Sequence, residues 1–150
     1  MKLLRFLAPM AIALALGGCS LSGLLGGGKA PATLLTLTPE APDPAPITRT
    51  ANAGQAGTVR VPTIGEELRT VRIPVQVTPT DVQYVANAQW VETPDRLFQD
   101  LVAETIRRTT NRVVLDPRQS GLDPGLIVRG ELQRFGFDAQ TGQAIVVYDG

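Results

Sequence analysis

Thr93-Pro94-Asp95-Arg96-Leu97-Phe98 opens the stretch that decides the fold, and it runs on through Leu101, Val102, Thr105 and Ile106 to Arg107-Arg108. Thr93 stands where a helix N-cap belongs, Pro94 suits the first helical position, and Asp95 suits the positive end of the helix dipole. Leu97, Phe98, Leu101, Val102, Thr105 and Ile106 recur at helical spacing and predict one buried face. Arg107 and Arg108 suit the C-terminal end, and Thr109-Thr110-Asn111 closes the helix.

Strand signals flank this helix on both sides. Residues 70–78 alternate, with Val71, Ile73, Val75 and Val77 on one face and Arg72, Pro74 and Gln76 on the other. Pro74 has no N–H to donate to a ladder, so this strand is expected to lie at an edge or to be interrupted there. Residues 81–91 read as a short extended segment entering the helix, with Trp90 packing against the helix start rather than anchoring a partner. Residues 112–116 read as a buried strand ending at Pro117, and residues 119–124 as turn chemistry. In residues 126–133, Leu126, Val128, Gly130 and Leu132 are expected inward, and Ile127, Arg129, Glu131 and Gln133 outward. At Phe135 and Phe137 the apolar phase changes face, as a bulge would cause. Residues 138–142 look like a hairpin turn and residues 144–148 like the returning strand. The absence of a closing helix after that strand suggests a truncated C-terminal part.

Toward the N-terminus the pattern changes. Residues 33–38, Thr-Leu-Leu-Thr-Leu-Thr, predict a first strand ending at Pro39. Residues 40–58 carry Pro42, Pro44, Pro46, Gly54 and Gly57 without a hydrophobic period, and are expected to form a loop or disordered insertion. Residues 20–33 are rich in Gly, Ser, Leu, Ala and Pro. As a flexible spacer they would reach roughly 20 Å. Gly23, Gly28 and Lys29 nearly fit a phosphate-loop pattern. No strand precedes them, and Ala30 lacks the hydroxyl that would hold magnesium, so no nucleotide site is expected.

Residues 1–18 read as an address. Lys2 and Arg5 precede an uncharged apolar run that is too short to span a bilayer. Leu16-Gly17-Gly18-Cys19 resembles the bacterial lipobox, in which the cysteine is acylated before cleavage. The reading therefore assigns residues 1–18 to a lipoprotein signal peptide, residues 19–33 to a tether and residues 34–150 to a single small domain. Cys19 is the expected lipid-attachment residue, carrying palmitate-type chains that hold the protein permanently at a membrane. Ser20 follows it, not the Asp that resembles an inner-membrane retention signal, so the periplasmic face of the outer membrane is the expected destination.

Composition narrows the chemistry. The 150 residues are 43% hydrophobic and hold 12 Pro and 15 Gly, too apolar for full disorder and too rich in turn-formers for one compact core throughout. The 14 basic and 14 acidic residues balance, giving no field to gather nucleic acid. With no His and 1 Cys, zinc fingers, Ser/His or Cys/His catalytic pairs and internal disulfides are excluded. No calcium-type acidic loop is present, and neither a cofactor nor a metal site is expected. Asp100 and Glu104 lie four apart on the helix and could imitate a carboxylate pair, but Glu104 also has ion-pair spacing to Arg107 and Arg108, which favours a solvated face. Arg129 and Glu131 read as partners in cross-strand salt bridging. No nucleophile stands beside a base, so the chain is not expected to be an enzyme.

The lipobox, the Thr-Leu-Leu-Thr-Leu-Thr-Pro strand, Trp90-Val91-Glu92-Thr93-Pro94 leading into a helix that ends near Arg108, and the Arg112-Val113-Val114-Leu115 strand together resemble the ABC-type transport auxiliary lipoproteins. The resemblance is to the paraquat-inducible protein C type, which works with mammalian-cell-entry (MCE) lipid transport systems. It covers residues 34 onward. The first strand lacks the tyrosine often found there, the segment before Thr70 fits poorly, and the family's final strands and C-terminal helix are missing.

The resemblance implies an α/β domain with a mixed β-sheet packed with helices, held under the outer membrane and docked to an MCE-domain protein. Such proteins supply contact surface, often as homo-oligomeric rings, and not ATP hydrolysis. In a ring, the strand containing Pro74 would be the expected subunit edge. The alternative reading is a structural or assembly lipoprotein of another envelope machine.

Overall fold

The computed structural model describes residues 33–43, 48–118 and 123–150. Nine strands and one α-helix are assigned in them: β1 (Thr33–Leu35), β2 (Gly57–Val59), β3 (Thr63–Ile64), β4 (Arg72–Thr78), β5 (Asp81–Trp90), α1 (Pro94–Thr109), β6 (Val114–Leu115), β7 (Leu126–Val128), β8 (Glu131–Asp138) and β9 (Gln143–Asp149). A 3-10 turn, Glu66–Leu68, precedes β4.

The main sheet is mixed and six-stranded, in the order β1-β5-β4-β8-β3, with β9 beside β8. β8 gives one edge to antiparallel β9 along its length. Its other edge meets β3 at Glu131 and Leu132, and β4 at Phe137 and Asp138, both in parallel. A second, three-stranded parallel sheet has the order β6-β2-β7. The expected α/β class with a mixed sheet is therefore observed, with one helix serving both sheets.

The core is Leu68, Ile73, Trp90, Leu97, Leu132 and Phe135. Ile73 and Leu132 are fully enclosed, and the Trp90 and Phe135 rings pack tilted with centroids 5.3 Å apart. Each such side chain contributes roughly 1.5–3 kcal/mol by leaving water. Trp90 thus packs as expected, beneath the start of α1. Leu132 and Phe135 can both point inward because the β8–β9 register shifts between Leu132 and Arg134. That shift is the bulge that the change of apolar phase anticipates.

α1 occupies the expected span, but two details differ. Thr93 occupies the N-cap position with β-region dihedrals, yet its hydroxyl makes no capping bond. Its carbonyl accepts from the backbone N–H groups of Arg96 and Leu97, both at 3.1 Å. The helix also buries Ala103, outside the expected apolar face, while Leu101, Val102 and Ile106 stay half-exposed. The reason is that α1 covers two sheets, so Leu97 and Phe98 face the main one and the side carrying Gln99 and Ala103 faces β2 and β6.

Pro74 is the main correction. β4 is paired on both sides, by β5 and by β8, and Pro74 is buried, so it lies neither at a sheet edge nor at a subunit edge. The missing donor is accommodated by interruption. The β4–β5 register shifts between Arg72 and Pro74, and the β4–β8 ladder is in register only from Val75.

Other boundaries move as well. Gly57 and Thr58, expected within a loop, belong to buried β2, the centre of the parallel sheet. The Gly57 N–H donates to the Val113 carbonyl at 2.8 Å and the Thr58 hydroxyl to the Leu115 carbonyl at 3.2 Å. The alternating run 126–133 is divided between the two sheets, with Leu126 and Ile127 in β7 and both exposed. Residues 81–90 form a ten-residue strand rather than a short segment, and β1 and β6 are shorter than their signals.

Candidate functional site

A groove of about 310 Å³ runs between α1 and the parallel sheet. Its floor is apolar, from Val59, Ala103 and Leu115, and charges stand along its walls, among them Arg96, Asp100 and Arg118. The Gln99 amide donates to the Val59 carbonyl at 2.8 Å and ties helix to sheet at this point. On one wall Arg96 pairs loosely with Glu92 at 3.6 Å. On the rim the Asp116 carboxylate accepts the Arg118 backbone N–H at 2.8 Å, which shapes the turn leaving β6. Arginines and carboxylates alternate around the groove, so it favours neither an anion nor a cation outright.

Asp100 and Glu104 do not form an acid–base pair. Glu104 accepts hydrogen bonds from Arg108 at 2.9 Å and Arg107 at 3.3 Å. The Arg108 hydrogen bond holds its carboxyl below the usual range against partial desolvation, with Arg107 assisting. A general acid needs the opposite shift, so Glu104 acts as a fixed anion. Arg108 also reaches outward, donating to the Ala41 carbonyl at 3.0 Å and pairing with Asp43 at 2.8 Å. It thereby clamps the segment after β1 onto the end of α1. Arg129 and Glu131 make no ion pair among the described residues, because Arg129 lies between β7 and β8.

Cys19, Ser20 and the residues Leu16, Gly17 and Gly18 lie outside the described residues, as does the phosphate-loop near-match at 23–30. Among the described residues, no cluster of three or more His, Cys, Asp or Glu side chains is placed to hold a metal ion. The same residues contain no helix long and apolar enough to cross a membrane. Sequence reading missed the groove, since its two sides come from residues about 40 apart in sequence, as the Gln99–Val59 bond shows.

Among the described residues the chain is a small α/β domain, a mixed sheet and a parallel sheet joined by one helix, with a groove between that helix and the parallel sheet. The family model for the ABC-type transport auxiliary lipoprotein component matches residues 35–149, and the chain belongs to that family. Its members are auxiliary lipoprotein components of transport, a non-catalytic role at a membrane of the cell envelope.

Solved structures share the fold. A Xanthomonas campestris protein of the DUF330 family superposes with a TM-score of 0.54 at 16% identity, covering 78% of this chain and 77% of that one. An uncharacterized protein superposes with a TM-score of 0.52 at 12% identity, covering 78% of this chain and 76% of that one. No curated protein matches.

Proposed function

We propose that this chain is a lipoprotein on the periplasmic face of the outer membrane, held by acyl chains on Cys19. There it serves as the non-catalytic auxiliary component of an MCE-type intermembrane lipid transport system. The observation that carries this reading is the family match over residues 35–149, in a chain whose residues 16–19 have the lipobox pattern. Removal of Lys2 and Arg5 with the signal peptide leaves a slightly acidic mature chain. Two or more acyl chains make anchoring stable, at about 0.8 kcal/mol per buried methylene. Ser20 after the cysteine supports the outer membrane as destination. The folded domain contributes contact surface to an MCE-domain protein, and energy for transport is supplied elsewhere in the system.

The test is crosslinked co-purification of the tagged chain from native envelopes, with mass spectrometry of what accompanies it. Recovery of an MCE-domain protein with its permease is the expected result. Recovery of barrel-assembly or cell-wall proteins alone would overturn the transport reading while leaving the anchor in place. For the anchor itself, Cys19→Ala is expected to abolish palmitate labelling and release the chain from the outer-membrane fraction. Unchanged labelling of that variant would remove Cys19 from the account.

A further inference from the structure

Two opposite charges stand on facing walls of the groove between α1 and the parallel sheet, and they do not pair with one another. Asp100 is on α1 and Arg118 follows β6, and neither belongs to an ion pair among the described residues. Other charges there are engaged. Arg107 is held by Glu104 at 3.3 Å, Arg96 loosely by Glu92 at 3.6 Å, and the Asp116 carboxylate by the Arg118 backbone N–H at 2.8 Å. Between the walls lies the apolar floor of Val59, Ala103 and Leu115.

The place of the groove in the fold points to a ligand. Val59 and Leu115 are the last residues of the parallel neighbours β2 and β6, and Val61, Asp116, Pro117 and Arg118 come just after them. The groove therefore lies at the carboxyl ends of neighbouring parallel strands, where open parallel sheets receive their ligands. Every lining residue falls between positions 59 and 118, well inside the sequence. At about 310 Å³ the groove is near the lower end of the roughly 300–1,000 Å³ of small-molecule sites, so it fits a small molecule or one headgroup rather than a whole lipid. An anion alone would meet Asp100, and a cation alone would meet Arg118. A molecule carrying both charges on a short carbon chain meets an opposite charge at each end, with its carbons on the floor.

We propose that this groove binds a small zwitterion, a phosphate and an ammonium joined by a short carbon chain. Arg118 holds the phosphate and Asp100 the ammonium. The loosely held Arg96 is a second donor to the phosphate, whose oxygens can accept from two guanidinium groups at once. Phosphoethanolamine is the simplest compound with this pattern, free in solution or as the headgroup of a phospholipid. The site does not depend on which transport system the chain serves, and its failure would leave the family-based reading standing.

The test follows the backbone amide NMR shifts of Val59, Val61, Asp100 and Arg118, with the full chain in a non-ionic detergent. Phosphoethanolamine is expected to give saturable shifts there. Ethanolamine and inorganic phosphate at equal ionic strength are expected to bind about tenfold more weakly, as the loss of one charge-assisted hydrogen bond implies. Asp100→Asn and Arg118→Gln should each weaken phosphoethanolamine by about the same factor. Asp81→Asn, which alters an exposed acid on β5, should change nothing. Asp100→Asn should also bind inorganic phosphate more tightly than the parent chain does. Bicelles of phosphatidylethanolamine or of phosphatidylglycerol in place of detergent separate the sources. Shifts with the first lipid alone identify a membrane headgroup, and shifts with the free compound but neither lipid identify a soluble ligand. Absence of saturable shifts, an equal response to the three small probes, an equal shift from both lipids, or unchanged affinity in both groove variants would each overturn the proposal. If a variant misfolds, the comparison of the three probes on the parent chain still decides.

Discussion

The carbonyl oxygen of Pro74 occupies the space that a Cβ on Gly136 would need, so β4 and β8 approach closely only because residue 136 is glycine. The contact lies where the β4–β8 ladder begins, one residue before the Val75↔Phe137 pair. Gly136→Ala must push backbone against backbone in the middle of the sheet. The expected cost is about 1–3 kcal/mol, as for other overpacked interiors, read as a lower urea midpoint with unchanged slope.

Glu104 gives stability a pH dependence. Its folded carboxyl binds a proton less readily than the ordinary value of 4.5 implies, chiefly through the Arg108 hydrogen bond. The stabilisation is therefore complete above the unfolded pKa and is lost as the pH falls through it toward the lower folded value. Glu104→Gln is expected to flatten the acid limb of a Tm-against-pH profile below about pH 4.5 and to leave its neutral part nearly parallel to that of the parent. Arg108→Ala should flatten the same limb. It should also lower stability at neutral pH by about 1 kcal/mol, because the pair to exposed Asp43 is screened while the stem of Arg108 is packed.

Among the described residues, Asn87 is the non-glycine residue with positive φ, at 59°. It sits where β5 carries extra residues against β4, between the Pro74↔Tyr84 and Arg72↔Gln89 pairs. Asn tolerates this region, and a β-branched side chain does not. Asn87→Gly is expected to be near neutral. Asn87→Val is expected to cost about 1–2 kcal/mol, and thermal unfolding of the two variants side by side checks the ordering.

Leu132 is wholly enclosed at the point where β8 turns from β3 toward β4. Leu132→Ala should cost about 2–5 kcal/mol. Trp90 belongs to the same core cluster and is the chain's only tryptophan, so its fluorescence reports the loss directly. An unchanged midpoint in that assay would mean that the core does not close around β8.

Local chemistry was legible in the sequence. The span of α1 follows from Pro94 at its start and the arginines and threonines at its end. The structure completes that end with Thr109 and Thr110 hydroxyls donating to the carbonyls four residues back, both at 2.7 Å. The 138–142 turn follows in the same way. The Asp138 carboxylate accepts the Gln140 and Thr141 N–H groups at 2.9 and 3.0 Å, and Gly142 adopts a φ of 68°. Alternation likewise marked β4 and the β8–β9 hairpin, and a change of apolar phase marked the bulge in β8. In each case the determining atoms lie within a few residues of one another, so the pattern survives reading in one dimension.

Tertiary structure decided what depends on distant partners. Gly57–Val59 is too short for any period, and it is a strand because Val114 and Leu126 arrive beside Gly57 from much later in the chain. Residues 126–133 look like one strand, but β7 and β8 find partners in different sheets. Pro74 looked like an edge residue because its own chemistry forbids one hydrogen bond. It lies at the centre because a register shift in β5 and a bare glycine in β8 absorb that deficit. A residue's own chemistry sets which bonds it can make, and the register of strands far away in sequence determines whether a missing bond matters.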